Sequence, residues 1–231
     1  MIRAARGAAE PPRACAHHGA PRPLPAAAAQ QKALHADARE TDRVQQARAA
    51  SREAIAALNA ARFKCIDASG VNRAMTRRYS RAPRGERVVG TVPPNSGANV
   101  TMLAALGSHG VEAVMTIDGA TAAEGFRAYV AQVLRPTLGP GDLVIMDHLR
   151  AHQAAGIRAA IEQAGAQLWY VPPYSPDVSP IEPCWSKLKM ALRTAQARTR
   201  EALEHAIALA LATITVADAH RWFHPCGDAL Q

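Results

Sequence analysis

At 231 residues, 48% of them hydrophobic, the chain can bury one core of ordinary size and little else. A net charge of +8 favours an anionic partner, nucleic acid or an anionic surface, over an acidic one. No stretch reaches the roughly eighteen continuous apolar residues of a membrane-spanning helix, so a membrane partner is not expected.

Residues 1–31 are rich in alanine, arginine and proline with little hydrophobic periodicity, which reads as a disordered arm without a secretory pattern. Residues 32–61 form a linker and a helix, placed at 42–58 and expected beside the first strand. The core-bearing domain is expected over 62–225, followed by a tail, 226–231. Its first strand, Phe63-Lys-Cys-Ile, ends in Asp67 before a turn at Ala68-Ser-Gly-Val-Asn. Antiparallel strands are expected at 87–92, 100–106 and 111–117, separated by Pro93-Pro-Asn-Ser-Gly and a second glycine turn. Phe126, Val130, Val133 and Leu134 mark a helix over 121–134.

Leu143-Val-Ile-Met is a short apolar run after Gly139-Pro-Gly-Asp, the pattern of a strand buried on both faces. A helix follows over 154–164, with Ile157 and Ile161 at i, i+4 and Gly165 past its end. A strand at 167–171 is stopped by Pro172-Pro173. Strand, helix, strand at this spacing makes a parallel, right-handed βαβ unit. Ile181, Trp185, Leu188 and Leu192 form the apolar stripe of the next helix, and Leu203, Ile207, Leu211 and Ile214 that of a last one over 200–215.

This order places acids together. Asp147 stands at the carboxyl end of the 143–146 strand. With thirty-four residues between them, Glu182 opens the helix that leaves the carboxyl end of the 167–171 strand. Both begin on one sheet edge, where ligands bind in open α/β sheets. Asp67 is delivered the same way. Three carboxylates without matching bases repel one another unless cations stand between them, and hard oxygen donors suit Mg²⁺ or Mn²⁺. Two such ions about 4 Å apart would serve phosphodiester cleavage or strand transfer. Taken alone, Ser179-Pro-Ile-Glu is a capping sequence that favours a cap over a ligand at Glu182, and Asp67 or Asp147 could merely fix a turn. Asp118, in a turn pair with Gly119, and Asp142, at the opposite end of its strand, read as structural.

The stretch Tyr170-Val-Pro-Pro-Tyr-Ser-Pro-Asp-Val-Ser-Pro-Ile-Glu-Pro-Cys-Trp, preceded by Met146-Asp-His-Leu-Arg-Ala-His, resembles the mariner-like DDE transposases of bacterial insertion sequences. The resemblance runs from about Lys32 to the C-terminus. It implies a ribonuclease H-like fold, α/β with a mixed five-stranded sheet flanked by helices, in which the Asp67 and Asp147 strands are neighbours. It also implies a metal-binding and catalytic triad of Asp67, Asp147 and Glu182 with two Mg²⁺ or Mn²⁺ ions, and DNA, as element ends and target, in place of a small-molecule substrate. A homodimer pairing two ends and a site of action in the bacterial cytoplasm, at the nucleoid, follow from the same likeness. The chain departs from the family pattern at Ala68, where a glutamate is usual, and at His148, where an asparagine is usual. No helix-turn-helix module of the kind the family carries is found ahead of the domain. Two other readings follow: a truncated, impaired remnant that binds DNA non-specifically, and a structure-selective nuclease on the same fold.

Candidate DNA contacts are His148, Arg150 and His152 beyond Asp147, and Lys187, Lys189 and Arg193 beyond Glu182. At about 100° per residue, Ser186, Lys189 and Arg193 lie within roughly 40° of Glu182 on the helix, so basic groups extend along the acid's own face. Alternatively, those bases form an ordinary solvated face, and His152 a helix-start residue bonded to backbone. Cys15, Cys65, Cys184 and Cys226 have no paired spacing, so reduced cytosolic thiols are expected; Cys15 with His17 and His18 lacks the further ligand pair of a zinc module.

Overall fold

A computed structural model describes residues 40–56, 59–172 and 179–228. The expected arm, the Cys15 cluster and the centre of the proline-rich loop lie outside them. The elements run α1 (Asp42–Ala56), β1 (Phe63–Val71), β2 (Val100–Gly107), β3 (Gly110–Asp118), α2 (Ala123–Tyr129), β4 (Leu143–Met146), α3 (Ile157–Glu162), β5 (Gln167–Tyr170), α4 (Ile181–Ala195), α5 (Arg200–Ala212) and α6 (Val216–Asp228). The helix at α2 is carried on by a wide turn, Val130–Leu134, and a 3-10 turn, Arg135–Thr137, with Pro136 in its opening positions.

The five strands lie in the order β3-β2-β1-β4-β5. β1 pairs antiparallel with β2 and parallel with β4, and β4 pairs parallel with β5. All four residues of β4 are buried, as a central strand between two parallel neighbours requires. The βαβ unit is therefore as expected, and Gly165 takes the left-handed conformation (φ +80°) past α3, where an added Cβ would come within 3.1 Å of the Pro140 backbone.

Alternate residues along each strand feed two separate cores, one on each face. Phe63, Cys65, Met102, Ala104, Leu143 and Ile145 pack with Ile181, Trp185, Leu188 and Leu192 of α4 and with α5 and α6. Ile66, Leu103, Val144 and Met146 pack on the opposite face with Phe126, Tyr129, Ile157 and Ile161.

Four expectations need correction. β1 does not stop at Asp67: it continues to Val71 because β2 pairs with it as far as Val71↔Val100. No strand forms at 87–92, where Val88, Val89 and Val92 are exposed; β2 already fills the antiparallel edge of β1 that such a strand would need. α1 lies by β5 instead of β1, and Trp169 Nε1 donates to Ser51 Oγ at 3.2 Å. β1 has strands on both sides and offers no edge. Finally, α5 ends at Ala212 and an unforeseen α6 begins, capped reciprocally: Asp218 N–H donates to Thr215 Oγ1 (3.1 Å) and Thr215 N–H to Asp218 Oδ2 (3.0 Å). Among the described residues, no single helix is long and apolar enough to cross a membrane.

Candidate active site

The pairing of β1 with β4 aligns Phe63 with Leu143 and Cys65 with Ile145. Carried two residues further, the same register matches Asp67 with Asp147, on neighbouring strands and with the same face parity. Asp67 is thus at the carboxyl edge of its parallel neighbour, although β1 itself runs on. α4 packs on that face through Ile181, Trp185, Leu188 and Leu192, and its first turn carries Glu182 to the edge, exposed. Pro180 stands at the cap position before α4, and Glu182 N–H donates to the Ser179 carbonyl at 3.3 Å in its first turn.

The electrostatics tie the three acids together. Burial raises the Asp67 carboxyl above its ordinary range, and the charges of Glu182 and Asp147 raise it further. Two hydrogen bonds oppose this without overcoming it: Ala68 N–H donates to Oδ1 at 2.7 Å and Trp185 Nε1 to Oδ2 at 2.9 Å. Asp147 is shifted the other way. Burial raises it, but the contact with His152 and the hydrogen bond from Leu149 N–H (3.1 Å to Oδ1) outweigh burial and hold it low. Among the described residues, no three Asp, Glu, His or Cys side chains stand close enough to hold a metal ion. The donor chemistry suits one nonetheless: hard carboxylate oxygens whose mutual repulsion, felt at Asp67, a divalent cation would relieve.

The basic residues divide. His152 is fully buried, its Nδ1 2.5 Å from Asp147 Oδ1, its ring 4.3 Å from that of Phe126, and its carbonyl accepting from Tyr170 Oη at 3.0 Å. That corrects its reading as a DNA contact, because a ring with no exposed surface cannot meet a phosphate. Lys187 is also corrected: its Nζ is engaged by Asp218 Oδ2 at 2.5 Å and the Thr213 carbonyl at 2.8 Å, which tie α4 to α6. His148 and Arg150 are exposed on the loop after β4, with His148 stacked on Tyr170 at 5.0 Å. Lys189 and Arg193 line an open cleft together with Arg77 and Arg78, two cations that sequence reasoning missed because nothing in the local pattern says where the loop after β1 goes. Trp185 is legible in the sequence only as an apolar stripe residue; its N–H role needs the position of β1.

Asp118 and Asp142 are structural, as expected: Asp118 meets Arg200 of α5, and Asp142 accepts from Gly139 N–H at 2.9 Å. Cys65 and Cys184 are buried on β1 and α4, and burial pushes the Cys184 thiol up to about 12.

Comparison with known proteins bears on the fold and the family. A family model described as DDE superfamily endonuclease matches residues 62–204. Among solved structures, the Mos1 transposase paired-end complex with left transposon end aligns with a TM-score of 0.67 at 17% identity, over 87% of this chain and 64% of that one. The mariner Mos1 paired-end complex with Mg gives 0.68 at 16% over the same shares, and the catalytic domain of Mos1 mariner transposase 0.59 at 13%, over 82% of this chain and 91% of that one. No curated protein matches the chain. It spans just under two thirds of the Mos1 chain in those complexes, and at these identities the likeness is one of fold. The mixed five-stranded sheet flanked by helices is ribonuclease H-like. Since the family match spans most of the folded unit and includes Asp67, Asp147 and Glu182, the chain belongs to the DDE superfamily endonucleases.

Proposed function

We propose that the chain is the catalytic domain of an insertion-sequence transposase, which cuts phosphodiester bonds at element ends and joins the freed 3′ hydroxyls to a target. The observation that carries this reading is the DDE superfamily endonuclease match over residues 62–204, the stretch that contains Asp67, Asp147 and Glu182. Asp67, Asp147 and Glu182 would hold two Mg²⁺ or Mn²⁺ ions. Such ions activate the attacking water or hydroxyl and stabilise the leaving oxygen of an in-line displacement. Trp185 and the Ala68 amide fix the orientation of Asp67, while His152 and the Leu149 amide fix that of Asp147. His148, Arg150, Lys189 and Arg193 remain accessible to the DNA backbone, where their contacts would give affinity without sequence readout. The partner is DNA, with a homodimer pairing two ends in the bacterial cytoplasm.

The test is Mg²⁺- or Mn²⁺-dependent nicking of element-end DNA. Losing several kcal/mol of charge stabilisation, Asp147→Ala is expected to slow nicking by about 1000-fold while DNA binding in EDTA persists. A variant that nicks as fast as the parent defeats the assignment. A second reading, an impaired remnant that only binds DNA, draws on Ala68 standing where the family has a glutamate. Salt-dependent binding by the parent with no metal-dependent cleavage would favour it.

A further inference from the structure

The loop leaving β1 is tied down against α4. Arg198, in the connection from α4 to α5, donates from Nη1 to the carbonyls of Arg73 (2.7 Å) and Met75 (3.1 Å), and from Nη2 to Thr76 Oγ1 (3.0 Å). Gln196 Nε2 reaches the same hydroxyl at 3.3 Å, and Arg77 Nε donates to Thr194 Oγ1 at 3.3 Å. Between the loop and the helix lies an open cleft of about 440 Å³, with Arg77 and Arg78 on one wall and Lys189 and Arg193 on the other. None of the described residues lining it is acidic. Four cations gathered around one cleft repel, and an anion with charges spread along it would offset that repulsion.

The cleft also has a direction. On α4, Lys189 and Arg193 follow Glu182 by seven and eleven residues, on its own face. At about 1.5 Å per residue they lie roughly 10 and 16 Å along the helix from it. Successive phosphates of one DNA strand stand further apart than the axial rise of about 3.4 Å per nucleotide, so those distances correspond to a few nucleotides.

We propose that this cleft grips the phosphodiester backbone of one DNA strand, at phosphates a few nucleotides from the one presented to Asp67, Asp147 and Glu182. The inference rests on the nuclease reading for its register, and on the four cations alone for its ligand. Arg77 and Arg78 grip from the loop, Lys189 and Arg193 from the helix, and Arg198 pins the loop in place.

The experiment measures binding of a labelled duplex oligonucleotide across a range of KCl concentrations in EDTA, where nicking cannot contribute. Arg77→Gln/Arg78→Gln and, separately, Lys189→Gln/Arg193→Gln are each expected to weaken binding about tenfold or more and to make the log–log salt slope shallower by about 2, at about 0.9 for each phosphate that is no longer neutralised. Unchanged slopes in both double variants overturn the cleft, as does weaker binding with an unchanged slope, since phosphate contacts must release counterions. The two readings fail separately. A parent protein that never nicks in Mg²⁺ while these slope changes appear removes the nuclease reading and leaves the cleft as a DNA site; normal nicking with unchanged slopes does the reverse.

Discussion

Asp67 and Asp147 occupy matching register positions yet are shifted in opposite directions, because their neighbours differ. Asp67 is raised above its ordinary 3.8 by burial and then by two like charges, so in the metal-free protein its stabilising contribution is complete only below that pH and is lost as pH rises through the raised value. Asp147 is lowered from the same 3.8, with burial outweighed by His152 and the Leu149 amide, so its contribution is present above that pH and is lost as pH falls through the lowered value. Urea denaturation in EDTA should therefore show the parent losing ground to Asp67→Asn as pH rises from 3.8, and losing ground to Asp147→Asn as pH falls below it. Parallel curves for the two variants would disprove the opposed shifts. His152 gives a second prediction. His152→Phe keeps a ring against Phe126 but removes the nitrogen 2.5 Å from Asp147. Without that close contact Asp147 is less firmly placed, so the maximal nicking rate should fall about tenfold or more while DNA affinity in EDTA stays at the parent value. A matching loss of affinity would restore the surface role that burial denies it.

At the scale of elements, the legible parts are those with strong local signals. The β4–α3–β5 unit announces itself through an apolar run bracketed by glycine and proline and a helical period between, and it is the unit that carries Asp147 to the edge. β1 looks shorter in the sequence than it is because Ala68-Ser-Gly favours a turn locally; pairing with β2 overrides that preference. The reverse happens at 87–92, whose valines suit a strand but stay exposed outside the sheet. α6 carries a capping signal at Thr215-Val-Ala-Asp, but Pro225 and Gly227 near its end read as a tail. Its position explains the fate of Lys187, which periodicity alone could not assign. Lys187→Met should lower the thermal midpoint by freeing α6 from α4, and leave the salt slope of DNA binding unchanged, in contrast to the cleft cations. A shallower slope would return Lys187 to the DNA face.

For the molecule as a whole, the candidate site belongs to neither core alone. The α4 face of the sheet holds Asp67, Trp185 and Glu182 in position, and the opposite face holds His152 through Phe126 and thereby Asp147. The strands are common to both, so loosening either face should be transmitted through β1 and β4 to the other. The described residues fall within one compact unit, which favours a single cooperative unfolding transition. Leu188→Ala on one face and Ile161→Ala on the other, both buried, should each cost about 3 kcal/mol. For a domain of this size that lowers the midpoint by about 6–12 °C, at 2–4 °C per kcal/mol. Scanning calorimetry should give one peak in both variants, with calorimetric and van't Hoff enthalpies in agreement. Two resolved peaks in either variant would mean that the faces unfold independently, and that the acids on them are held together only while both remain folded.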